Sequence, residues 1–469
     1  MDRMNPLDAS FLHIEDGVNH MHIGSVSVFE GPIPDFDELR RRFVGKLHHV
    51  PRYRQRVRFV PLDLGRPVWA DDPHFDPDYH LRHTALPGGG GEAALRALVG
   101  RVMSQPLDRH RPLWESWVVE GLDEGRWALL SKVHHCMVDG IAGTDLVSLI
   151  LDHDPDAPAE APESWAPAPE PSDVELATEA LGELARSPYE QYRALRSGAK
   201  APRDAAHRVG DVLGGLRGYF GGERRHSSVE GTIGPHRRWV PARTTLDDIR
   251  TVRTGLGGTV NDVVVAAVSH GFRELLASRG EDPDECEVRA LIPVSLRAPD
   301  ARGVLDNRVS ALVLRLPVEV ANPVDRLAEA RHRLDELKTS HEIDAGEAIF
   351  VAAGMAPAAV VGPALRLAFR AMRAVPQRIV SSVITNVPGP QEPLYLAGRR
   401  MVEYLPYVPI AQGVRVGVAA LSYDGALAFG VTGDRDTAGD VDVLAAGIES
   451  GLATLIERAT AATATSGGP

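Results

Sequence analysis

The stretch LLSKVHHCMVDGIAGTDL, Leu129 to Leu146, ends an alternating apolar run in two adjacent histidines, followed at once by an Asp-Gly pair. RWALLSKVHH reads as a strand, with apolar residues two apart, and Asp139 is placed to begin a helix through GIAGTDLVSLILD. His134 and His135 therefore sit at the end of a strand. Successive strand residues point to opposite faces, so the two imidazoles cannot both aim at one substrate atom, and one is expected to serve chemistry while the other serves structure. A carboxylate and a flexible turn are what fixing an imidazole needs, and Asp139-Gly140 supplies both. On residues alone, a structural and a catalytic reading of the pair weigh about equally.

Outward from this stretch the chain reads as mixed α and β. HIGSVSVFEG is strand-like, PDFDELRRRFVGKLHHV is helical, and the first domain runs over residues 1–155. DHDPDAPAEAPESWAPAPEP, rich in Pro, Ala and acid, reads as a linker and opens a linker and helical connector over 156–231. The second domain, 232–460, holds a helix at TVNDVVVAAVSHGFRELLASRG, a strand at VRALIPVSL, a long helix around PVDRLAEARHRLDELKTS and strands at RIVSSVITNVPGP, VRVGVAALSYDG and ALAFGVTGD. The tail, 461–469, is expected to be disordered.

A chain of 469 residues exceeds what one hydrophobic core usually serves, which supports two domains. Its net charge of -13 argues against a nucleic-acid partner, because phosphate binding needs an extended basic surface. Two cysteines, Cys136 and Cys286, make no disulfide framework, and the N-terminus shows no basic region followed by an apolar core. A cytoplasmic location is expected. The uncharged segment Ala348 to Leu365 is interrupted by prolines and glycine, and it reads as buried or interfacial, not spanning.

HHCMVDG resembles the HHxxxDG signature of the chloramphenicol-acetyltransferase-like acyltransferases. Together with PLDASFLHIEDGVNHMHIGSVSVFEG, RPLWESWVVEGL, TVNDVVVAAV, IPVSLR and TNVPGP, in that order, the text resembles bacterial wax ester synthase/diacylglycerol acyltransferases along nearly the whole chain. The resemblance implies two similarly built α/β domains, each a mixed sheet with helices, and a tunnel between them. It implies transfer of an acyl group from long-chain acyl-CoA, as co-substrate, to the hydroxyl of diacylglycerol or a long-chain fatty alcohol, with no cofactor and no metal. His135 would be the general base, an imidazole titrating near neutrality that takes the hydroxyl proton and then protonates the departing sulfur. His134 would anchor the strand end. Asp139 would be structural support, with Arg297 as a candidate partner. Gly140, Trp114, Thr385 and Asn386 are assigned to substrate binding, although Trp114 also reads as core, Thr385 or Asn386 as an oxyanion donor, and TNVPGP as a rigid turn. Asn261 and Asp262 read as a helix cap.

Rival readings are a covalent route through Cys136, a metal hydrolase using His134, His135 and Asp139, a condensation domain acting on carrier-bound thioesters, and a non-catalytic lipid-binding or droplet-coating protein on the same fold. The metal reading is disfavoured because adjacent strand histidines point apart, unlike zinc histidines spaced to share one helix face. Finally, Arg366, Arg370 and Arg373 form a basic stripe beside Leu365, Phe369 and Met372. This is expected to meet either an anionic membrane or droplet surface, or the CoA.

Overall fold

The computed structural model describes residues 2–88, 90–137, 150–186, 227–295, 309–339 and 380–466. The expected helix from Asp139, the partner Arg297, the apolar segment 348–365 and the arginine stripe at Arg366, Arg370 and Arg373 lie outside the described residues, as does Gly140.

Helix α1 (Pro6–Ile14) begins because Asn5 caps it, accepting from the Asp8 N–H, and because Pro6 has no N–H to lose at the first position. It precedes β1 (His22–Phe29), α2 (Phe36–Lys46), β2 (Leu81–Ala85), α3 (Gly91–Met103), β3 (Trp114–Glu120) and β4 (Trp127–His134). The second half contributes β5 (Arg237–Thr245), α5 (Leu246–Leu256), α6 (Val260–Ser278), β6 (Arg289–Ser295), β7 (Val309–Arg315), α7 (Pro323–Thr339), β8 (Ser382–Val387), β9 (Tyr395–Leu396), β10 (Arg399–Tyr407), β11 (Val416–Tyr423), β12 (Ala426–Asp434) and α8 (Val441–Ser466), with α4 (Asp173–Arg186) between the halves.

Among the described residues, two six-stranded sheets result. The first has the order β9-β10-β1-β4-β3-β2 and the second β7-β6-β8-β11-β12-β5. A division along the sequence does not separate them, because β10, from the second half, pairs antiparallel with β1. Two contacts hold this crossing strand. Trp239 Nε1 donates to Pro406 O at 2.9 Å, and Gly430 on β12 lies so close that a Cβ there would stand 1.7 Å from the same oxygen. Only glycine permits that approach. Between the sheets, Leu95, Val99 and Met103 of α3 share a core with Val26, Leu130, Trp239 and Tyr407.

Strand β4 is central and every residue along it is buried, as expected for a strand covered on both faces. Trp127, Leu129 and Val133 face one core, while Ala128 and Leu130 face the core between the sheets.

The acidic Pro/Ala stretch was expected to be a linker without a core. It instead lies strapped along the first domain, because a row of basic side chains meets its acids. Lys46 pairs with the buried Asp152, Arg42 donates to Ala157 O, and Arg56 and Arg58 hold Glu170. Trp165 sits against Phe75 and under the Arg54 guanidinium. The C-terminal expectation also needs correction: α8 runs to Ser466, since alanine favours helix and the helix packs along α5 and α6. Thr259 and Asp262 form a reciprocal cap at the start of α6, so Asp262 caps as read from the sequence.

Candidate active site

Strand β4 ends at His134, and His135 to Met137 form a single 3-10 turn. The break in strand geometry turns the two histidines to different surroundings, but both meet α1. His135 lies over Phe11, with ring centroids 4.0 Å apart. Glu15, at the end of the same helix and one turn on, faces His134.

His134 is wholly buried. Its Nδ1 accepts from the Cys136 N–H at 3.1 Å, which leaves the ring proton on Nε2, 3.5 Å from Glu15 Oε2. The other Glu15 oxygen is 3.0 Å from Nε2 of His22, the residue directly opposite His134 on β1. Arg109 closes the group with bonds to Glu15 Oε2 at 2.7 and 3.1 Å and to Leu12 O. Burial would raise the Glu15 pKa, but the hydrogen bonds from His134 and His22 outweigh it and hold the carboxyl well below its usual range. His22 is pushed down to about 3 by burial, against the pull of Glu15, and is neutral at ordinary pH. His20 stacks on His22 with centroids 5.6 Å apart, and burial lowers its pKa too. The loop carrying His20 is tied to the second half by Arg237, which donates to Val18 O, and by the Gln412 N–H, which donates to Asn19 Oδ1 at 2.7 Å.

His135 differs. Its backbone N–H is anchored to Met21 O at 2.8 Å, the residue as a whole keeps some exposure, and its buried Nδ1 has no hydrogen-bond partner among the described residues. Burial pushes its pKa down to about 4, with its own backbone acting weakly against that and the neighbouring His134 adding to it. The expectation of an imidazole titrating near neutrality is therefore corrected. The ring is neutral throughout the physiological range: a weaker base that is always available, and a strong acid once it has taken a proton.

Cys136 is buried, and burial pushes its thiol well up, so it carries no thiolate to attack a thioester. Trp114, at the start of β3 and opposite Val133, is also fully buried. It stacks with Tyr53 and His80 at 4.3 and 4.5 Å, and its Nε1 donates to Tyr53 O at 2.9 Å. That packing supports the core reading. Thr385 and Asn386 lie near the end of β8 and are partly exposed. Ile384 faces the second core while Val387 packs with the first, so Thr385 shares the Val387 side, toward the first sheet, and Asn386 the Ile384 side.

The residues missed in the sequence are Phe11, Glu15, His20, His22 and Arg109. A signal existed for four of them: Phe11 and Glu15 stand four apart on a capped helix, and His20 and His22 stand two apart at the mouth of a strand. Arg109 announces itself by nothing local.

Similarity to known proteins agrees with this geometry. Residues 4–264 match the wax ester synthase/diacylglycerol acyltransferase catalytic domain, and residues 305–456 match the WS/DGAT C-terminal domain. The chain is 37% identical over 464 residues to a Mycobacterium tuberculosis protein described as a probable diacylglycerol O-acyltransferase, covering 97% of this chain and 96% of that one. A second such protein of that organism is 33% identical, with 96% and 98% covered. Among solved structures, the wax ester synthase/diacylglycerol acyltransferase of Marinobacter aquaeolei VT8 superposes with a TM-score of 0.68 at 25% identity, covering 98% of this chain and all of that one. A trichothecene 15-O-acetyltransferase from Fusarium sporotrichioides shares the fold, with a TM-score of 0.60 at 11% identity over 97% of this chain and 94% of that one.

Proposed function

The chain belongs to the wax ester synthase/diacylglycerol acyltransferase family and is an acyltransferase; on that premise we propose that it moves a long-chain acyl group from CoA to the hydroxyl of diacylglycerol or a long-chain alcohol, with His135 as the base. The observation that carries this reading is the contrast between the two histidines. His134 takes the Cys136 N–H at Nδ1 and turns Nε2 to the buried Glu15 carboxylate, while His135 is neutral and its Nδ1, buried beside Phe11, meets no protein partner among the described residues.

In this scheme the acceptor oxygen gives its proton to the imidazole as it attacks the thioester carbonyl, and the tetrahedral oxyanion collapses to ester and CoA thiolate. The imidazolium then protonates the sulfur. A base with a pKa of about 4 receives its proton late, when the C–O bond is well formed, and returns it readily. Thr385, on the face of β8 toward the first sheet, is the better placed of the two proposed oxyanion donors. Asp139 and Gly140 keep their proposed roles as support and substrate contact, and Trp114 supports the site from within the core. The chemistry requires no resident cofactor or metal.

No helix among the described residues is long and apolar enough to cross a membrane. The reading includes peripheral contact with a membrane or droplet through Arg366, Arg370 and Arg373, supported by their spacing in the sequence alone. The substrate reading is tested with purified protein and radiolabelled palmitoyl-CoA against diacylglycerol, hexadecanol and no acceptor, separating the lipid products. Label in triacylglycerol or wax ester supports it, whereas release of free fatty acid alone contradicts it.

A further inference from the structure

A second pair of adjacent histidines lies away from the active site. His48 and His49 close the 3-10 turn Leu47–His49 at the end of α2, and turn geometry holds their rings side by side, with centroids 3.9 Å apart. Both Nε2 atoms face one carboxylate oxygen, Glu160 Oε2, at 3.5 Å from His48 and 3.0 Å from His49. Glu160 belongs to the strapped acidic stretch, and its placement is built: its backbone oxygen approaches Gly45 so closely that a Cβ there would lie 2.2 Å away.

The tautomer of His48 is decided by a neighbour. Nδ1 lies 2.8 Å from Gly45 O, which can only accept, so Nδ1 carries the proton and Nε2 of the neutral ring presents a lone pair. That lone pair faces a carboxylate oxygen, an arrangement relieved by a proton on Nε2 or by a metal cation set between the two. An imidazole whose other nitrogen donates to a backbone carbonyl, with its free nitrogen beside a second imidazole and a carboxylate, is the usual preparation of a zinc ligand. The three ligand atoms all lie within 4.8 Å of one another.

We propose that His48, His49 and Glu160 bind one zinc ion that clasps the acidic strap to the first domain, with water completing the coordination. Two imidazoles and one carboxylate suit zinc and not magnesium, which prefers oxygen ligands. The ion lies outside the acyl-transfer chemistry, and this inference does not depend on the substrate reading.

The test uses the full chain stripped with a chelator, then titrated by calorimetry with zinc chloride and separately with magnesium chloride, and followed by hydrogen exchange across residues 152–165. One equivalent of zinc is expected to bind at micromolar or lower concentration, with slower exchange around Glu160 and no comparable response to magnesium. His48→Ala and, independently, the milder Glu160→Gln should each weaken binding by about tenfold or more, with the fold intact by circular dichroism. Zinc uptake unchanged in both variants would place the ion elsewhere and overturn the proposal. So would the absence of zinc binding to the wild-type chain, or binding that leaves exchange of the strap unaltered.

Discussion

Glu15 and His134 face each other across 3.5 Å, one at the end of α1 and the other at the end of β4, both shielded from solvent. This relationship divides the labour of the histidine pair. His134 holds its tautomer through the Cys136 N–H and directs its Nε2 at the carboxylate, so the strand end is fixed and the His135 ring turns to Phe11 instead.

Glu15→Gln keeps the shape but removes the charge that gathers His22, His134 and Arg109. Loss of a charged hydrogen-bond acceptor in a buried group costs about 1–3 kcal/mol. Urea unfolding should show that loss, accompanied by a lower kcat as the strand end loosens. An unchanged midpoint and unchanged kcat would mean that the group is ornamental.

Acid should destabilise the fold above the pH at which ordinary carboxylates titrate. His80 is fully buried, donates from Nδ1 to Trp114 O, and is pushed from 6.5 down to about 4 by burial. Between those values the unfolded chain binds more protons than the folded one. The His80 contribution to stability is therefore complete above pH 6.5 and is lost as pH falls toward 4, on the order of 3 kcal/mol across that window. His22 and His135 act in the same direction. Urea midpoints measured at pH 7.5, 6 and 5 should fall steadily, with a shallower slope in His80→Gln. Over pH 6 to 8, kcat/KM should stay flat, because His135 is already neutral there; a rate rising with a midpoint near 6.5 would contradict its lowered pKa.

Trp114 links three aromatic neighbours, Phe43, Tyr53 and His80, to the strand beside the site, so Trp114→Ala should lower stability by about 3–5 kcal/mol. Trp114→Phe should cost less and preserve acyl-chain preference. A Phe variant of normal stability with altered chain preference would instead show that the indole lines the acyl passage.

Much of this architecture was legible in the chain. Period-two runs identified β1, β4, β11 and β12, and Asp262 marked a helix start, because these signals are local; its capping partner is Thr259, and Asn261 takes no part in the cap. The crossing of β10 into the first sheet was not legible, since its partner β1 lies hundreds of residues earlier in the chain and only Gly430 and Trp239 hint at the close approach. At the site, the strand-end position of His134 and His135 could be read from the alternation. Arg109 could not, because its pairing with Glu15 joins distant segments and leaves no spacing to find, and the helical spacing of Phe11 and Glu15 does not say which residues they meet. The His135 pKa was misjudged for a related reason, as burial is a property of the assembled core.

The arginine stripe is tested by replacing Arg366, Arg370 and Arg373 with glutamine. Lost sedimentation with anionic liposomes and an unchanged KM for a water-soluble short-chain acyl-CoA would support peripheral membrane contact. Retained sedimentation with a raised KM would move these arginines to the CoA site.

The central claim is that the His135 imidazole moves the proton. The direct measurement is ester formation by His135→Ala, beside Cys136→Ala, with acyl-CoA binding measured for each. The account predicts that His135→Ala still binds acyl-CoA but forms ester about 10²-fold more slowly or worse, while Cys136→Ala remains active and mass spectrometry finds no acyl adduct on the wild-type chain. Near wild-type ester formation by His135→Ala would contradict it.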